Sequence, residues 1–147
     1  MSSTRFLPVA EIIAAAGEQV TLVEKSYATD PGMAGLTKLP ALVVGFPTLR
    51  RVGVEQSESE VGRNDWRISF PVALYVDLRK LDDTADRILE ALEELVEIID
   101  DPDTWDADPS IIDWALTVAE PVEILDESRP LMSYECRVEL LKLVAAA

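Results

Sequence analysis

The chain has 147 residues, 48% of them apolar, with 13 Lys and Arg against 28 Asp and Glu, no histidine and a single cysteine. Its net charge of −15 repels phosphate and argues against sequence-independent nucleic-acid binding. The missing histidine excludes Ser-His-Asp and Cys-His catalysis, HExxH metalloprotease chemistry and Cys2His2 zinc sites.

A lone cysteine forms no intrachain disulfide, and no apolar run approaches the roughly 20 residues that span a bilayer. The N-terminus lacks a signal peptide's apolar stretch, so one domain over residues 1–147, made and kept in the cytoplasm unless carried off in an assembly, is expected. The charge is unevenly placed. Residues 1–80 hold nine bases and nine acids, whereas residues 81–147 hold four bases and nineteen acids.

Taken in order, the first element is a short helix. Pro8 suits a first turn, Val9, Ile12, Ile13 and Ala16 form one apolar face, and Gly17 is expected to stop it. Val20 to Tyr27 reads as a short strand, followed by a turn-rich loop, Asp30-Pro31-Gly32, that carries Met33 and Leu36. That loop is read first as a lid on its own core and second as a partner-docking segment.

Ala41 to Phe46 is an apolar strand broken by Pro47, and Leu49 to Glu55 continues extended. The polar stretch 55–62 is expected to be a hairpin tip. Trp66, Ile68, Phe70, Val72, Leu74, Val76 and Leu78 then occupy every second position of the clearest strand. Pro71 lacks a ladder donor, which predicts an edge strand or a bulge there.

A long helix over 83–99 follows, capped by Asp82 or Asp83, with Ile88, Leu89, Leu92, Leu95, Val96 and Ile99 as one apolar stripe. Its other side carries Asp86, Glu90, Glu93, Glu94 and Glu97. Glu97, Asp100 and Asp101 sit at the negative end of the helix dipole, where each costs about 0.3–1 kcal/mol at low salt. Two strands close the chain, one through Trp114, Leu116, Val118, Val122 and Ile124 with a bend at Glu120-Pro121, the other through Tyr134, Cys136, Val138 and Leu140. The order α-β-β-β-α-β-β predicts an α+β fold: a mixed or antiparallel sheet of about five strands with both helices on one apolar face.

Candidate chemistry is sparse. Asp101-Pro102-Asp103-Thr104-Trp105-Asp106 opens like an EF-hand, but Trp105 and Asp106 occupy positions 5 and 6 and Ile112 stands where the bidentate Glu belongs, so a solvated loop is expected. Carboxylates are abundant without one pair being marked out for acid–base work. Cys136 lies on the apolar face of its strand with no His to activate it, and Trp66 and Trp114 sit in core registers. No GxGxxG or GxxxxGK[ST] is present. No catalytic, metal or cofactor site is therefore expected. The acidic stretch 82–113 holds thirteen acids and only Arg87, which reads either as a solvated face or as a surface held near a polyanion without sticking to it.

The segment Leu39-Pro40-Ala41-Leu42-Val43-Val44-Gly45-Phe46-Pro47, the strand Arg67 to Val76 with Phe70-Pro71-Val72, the helix after it and the final Tyr134 to Leu140 strand occur in a telling order. Together they resemble the tail-terminator (tail-completion, minor tail protein U-like) family of long-tailed phages. The acidity of residues 82–113 departs from the motifs that carry this resemblance.

The resemblance implies a structural virion protein, not an enzyme, that forms a six-fold ring at the head-proximal end of the tail tube. Such a ring stops tube growth and docks the head-completion or neck connector. A chain of this length has a radius of gyration of ~15 Å, a sphere roughly 38 Å across, and six touching spheres leave a hole that passes a DNA duplex. Six copies would carry six times −15, and a negative lumen lets DNA slide through without specific binding.

On this reading Asp86, Glu90, Glu93 and Glu97 face the channel. The loop 28–38 with Met33 and Leu36, the tip 55–63 with Glu58, Glu60 and Arg63, and the strand at Pro71 make contacts with other subunits or the tube. A head-completion or stopper protein, an acidic nucleic-acid mimic and a carboxylate enzyme are the rival readings.

Overall fold

Alternation in the segment around Phe70 sets the axis of the fold. The computed structural model describes residues 6–32, 35–52, 63–77, 81–124 and 131–145. Strand β4 (Arg63–Asp77) turns Ile68, Phe70, Val72, Leu74 and Val76 to one face, all buried. Strand β6 (Leu131–Ala145) pairs antiparallel with its whole length, and β5 (Ile111–Ile124) pairs with β6. On the other flank of β4, β2 (Ala41–Val44) covers Val72–Tyr75 and β3 (Thr48–Val52) covers Asp65–Ser69. A three-residue β1 (Lys25–Tyr27) adds to β2 in parallel. The result is an α+β fold whose mixed sheet has six strands among the described residues, one more than expected.

Helix α1 (Leu7–Glu18) and helix α2 (Leu81–Asp100) cover the same sheet face. Val9 and Ile13 from α1, Ile88, Leu95 and Ile99 from α2, and Cys136, Val138 and Leu140 from β6 share one core with β4. A short 3-10 turn, Pro102–Trp105, closes its end. Trp105 is buried, donates its indole N–H to the Ile99 carbonyl at 2.9 Å and stacks on Trp114 with ring centres 6.2 Å apart.

Several expectations change in physical terms. Pro71 lies in the central strand, in an unbroken register with β6, and marks neither an edge nor a bulge. Its carbonyl accepts from Gly45 N–H at 2.7 Å, so its absent N–H points to the same flank, where residues 45–47 break β2 from β3 and no ladder donor is needed. The close approach needs a glycine: a Cβ on Gly45 would stand 2.9 Å from the Pro71 ring. Gly17 likewise does not end α1, which runs on to Glu18. It lets the helix touch the sheet, since a Cβ there would lie 2.4 Å from Ser26 Oγ.

Val20 and Leu22 are buried in a turn, not a strand, so only Lys25–Tyr27 of the expected 20–27 element is extended. The register of β5 shifts between Ile111 and Asp113 and between Leu116 and Val118, not at Glu120-Pro121. The second shift moves later residues to the opposite face, so Val122 pairs with Ser133 and not with a core-facing residue of β6. Pro121 is tolerated because β5 pairs only with β6 among the described residues. The opposite face is accordingly not bare. Leu131 and Ser133 are buried there, and Leu36, Ala41 and Val43 form a second small cluster with Tyr27 and Tyr75.

Candidate functional site

The chemistry most prominent in the sequence is the acid of α2, and the structure separates it by position around the helix. At about 100° per residue, Ile88, Ala91, Leu95 and Ile99 point into the core. Asp86, Glu90, Glu93 and Glu97 follow i, i+4, i+7, i+11 along the opposite crest, a line about 16 Å long, and all four are exposed. None of the four carboxylates makes a hydrogen bond or ion pair among the described residues, so the fold does not use them. No basic residue sits in the last turn to offset the late acids.

The expected apolar stripe is narrower than its sequence pattern. Leu89 is 57% exposed and Val96 38% exposed, and with half-buried Leu92 they form a flank beside the acidic crest. Leu92, Glu93, Val96 and Glu97 line a shallow groove there. Glu94 lies on the other side of the helix. Its two oxygens accept from Thr21 N–H at 2.9 Å and from Thr21 Oγ at 2.8 Å, which ties α2 to the end of α1.

The sites expected for subunit contact come out unevenly. Met33, Glu58 and Glu60 lie outside the described residues, and Arg63 is placed only as the first residue of β4. Leu36 is 1% exposed, so this part of the loop is a lid on its own cluster and offers no surface contact. Pro71 is half-buried and lines a 260 Å³ pocket on the opposite sheet face with Asp30, Tyr75, Glu135 and Arg137. Burial first, and then Asp30 and Glu135, push the Tyr75 hydroxyl up.

Two features escaped sequence reasoning. The first is Phe46, 85% exposed at the β2–β3 break. It borders an almost wholly apolar groove of 190 Å³ lined by Phe6, Leu7, Ala10, Val44, Pro47 and Phe70 among others, with Asp30 its sole acid. An aromatic placed between Gly45 and Pro47, where neither neighbour continues a strand, was the available signal.

The second is an ion pair inside the acidic loop. Lys142 is 3% exposed, and its ammonium donates to Asp108 and, at 2.8 Å, to Ser110 Oγ. Burial raises the Asp108 carboxyl, but hydrogen bonds from Lys142 and Ser110 and the Lys142 charge outweigh it and hold the group below its ordinary value. Asp101 also works locally, capping the 3-10 turn by accepting from Asp103 N–H at 3.0 Å. The loop read as solvated is thus partly structural.

Cys136 is buried, and that burial pushes its thiol up to about 11, so it stays protonated and weakly nucleophilic near neutral pH. Among the described residues, no group of three or more His, Cys, Asp or Glu side chains is arranged to hold a metal. No helix there is long and apolar enough to cross a membrane. No model of a known protein family matches the chain, and no curated protein matches it.

Proposed function

We propose that the chain is a structural virion protein, a tail terminator that assembles as a ring of about six copies at the head-proximal end of a phage tail tube. The observation that carries the reading is the acidic crest of α2, four exposed carboxylates that the fold does not use, on a chain with −15 net charge. Lining a ring's lumen with Asp86, Glu90, Glu93 and Glu97 gives DNA a repulsive wall to pass, with no counterion release to make it stick. The motif resemblance over the two central strands and the following helix supports the same reading.

The mechanism is steric and interfacial, with no bond made or broken. One face of the ring repeats the contact that tube subunits make with each other, and growth ends because the other face does not. That other face receives the head-completion or neck connector. The experiment is to label the chain in assembled tails and image them. A single labelled ring at the head-proximal end is expected. Label on the portal-side adaptor alone favours the rival stopper, and label nowhere on the particle removes both.

A further inference from the structure

A large aromatic left in water beside a groove marks a contact surface when the charge around it has one sign. Phe46 is 85% exposed, and the 190 Å³ groove it borders is lined by one charged side chain, Asp30. Asp30 and Gly45 also line the 260 Å³ pocket at Pro71, so the two cavities share that boundary. At Gly45 the boundary is backbone alone, and a Cβ there would lie 2.9 Å from the Pro71 ring.

The second cavity is acidic. Asp30, Glu120 and Glu135 line it against a single base, Arg137, which donates to Ser69 Oγ at 3.0 Å and pairs with none of them. Glu120 stands directly opposite Glu135 across β5 and β6, and like charges so placed cost stability. Both are exposed, and neither carboxylate makes a hydrogen bond or ion pair among the described residues. Asp30 accepts from Gly32 N–H at 2.8 Å through one oxygen only. The fold gains nothing from the opposed pair, and a cation brought from outside removes its cost.

We infer that these two cavities receive an extended segment of another protein, carrying a branched aliphatic side chain followed within two residues by lysine or arginine. A cavity of roughly 150 Å³ holds benzene, so the 190 Å³ groove takes that one aliphatic side chain against Phe46. Two residues of extended chain span about 7 Å, which carries the base over the Gly45 boundary to Asp30, Glu120 and Glu135. Phe46 supplies the anchor, and the three carboxylates select against an acidic segment. The inference goes beyond the ring reading and uses none of the crest residues of α2.

The test is titration of the full chain into three labelled, end-capped peptides, followed by fluorescence anisotropy. The first holds one leucine and two lysines between glycines and serines. The second replaces its lysines by glutamates, and the third replaces its leucine by serine. The first binds saturably, at least about tenfold tighter than the others, and weakens as salt is added. Phe46→Ser, and separately Glu120→Gln with Glu135→Gln, each weaken it about tenfold. All three positions are exposed, so both variants keep the wild-type urea midpoint, which is measured first. Equal binding of the glutamate peptide, no saturable binding of the lysine peptide, or binding indifferent to both variants overturns the inference. Self-association of the chain that Phe46→Ser abolishes assigns the groove to a second copy and overturns it as well.

Discussion

The acids of this chain divide into two populations that composition does not distinguish. Asp108, Glu94 and Asp101 each accept hydrogen bonds that fix one element against another or shape a turn. The carboxylates of Asp86, Glu90, Glu93 and Glu97, within one helix, accept none among the described residues and stand in solvent. The difference is one of placement. Asp108 and Glu94 meet donors that long-range packing brings close, Lys142 across 34 positions and Thr21 across 73, and Asp101 meets the N–H two residues on that its own turn presents. The second has only its own helix for company, and the lone base Arg87 is not paired with it. Net charge therefore measures what the chain can spare, while contact geometry identifies what it needs.

The sharpest way to break this comparison is at Asp108. Asp108→Ala leaves an ammonium buried without its counter-charge, which costs about 3–5 kcal/mol in chemical unfolding. Lys142→Met costs less, because the Asp108 carboxylate retains Ser110 and partial access to water. The pH dependence follows from the direction of the shift. A carboxyl held below its ordinary value stabilises fully above the unfolded value of about 4 and loses that contribution as pH falls through the folded value. Asp108→Asn should therefore flatten the acid limb of the stability curve below about pH 4. An unchanged limb would assign acid sensitivity to other groups.

A smaller effect is expected at Glu94. Its bidentate contact with Thr21 is exposed, so Glu94→Ala should cost about 0.5–1.5 kcal/mol, read as a shift of the urea midpoint. The smallest effect belongs to the crest. Asp86→Asn with Glu90→Gln, Glu93→Gln and Glu97→Gln should leave stability within about 0.5 kcal/mol, any gain coming from the removal of Glu97 from the last turn of α2. A loss of 2 kcal/mol or more in the quadruple variant would show that the crest serves the fold after all.

Legibility in the sequence followed the range of the interactions. The β4 alternation and the α2 periodicity are local, and both elements stand where the pattern put them to within three residues, α2 starting at Leu81, ahead of the expected caps Asp82 and Asp83. The break between β2 and β3 was likewise announced by Pro47, although β2 stops at Val44 and leaves Gly45 and Phe46, read as its end, outside it. What was not legible depends on neighbours. Pro71 signals an edge when read alone, yet the gap it faces is made by residues 45–47, with Gly45 standing 26 positions earlier.

Gly17 looks like a helix stop until Ser26 and Leu42 are seen against it. The bulge in β5 inverts the faces of a strand whose own pattern runs straight through it. Lys142 and Asp108 carry no motif, because an ion pair between distant segments leaves no spacing to read. The exposure of Leu89 and Val96 was hidden for a related reason: a helix whose apolar arc is wider than the core it covers looks the same in sequence as one fully buried.

The account's central claim, that this chain ends tube growth as a ring, is tested most directly by polymerising tube protein with increasing amounts of the full chain and measuring tube lengths by electron microscopy. The account predicts that mean length falls as the chain is added, with a ring of about six copies at one end of each tube. Tubes whose lengths do not respond, with the chain left free in solution, would contradict it.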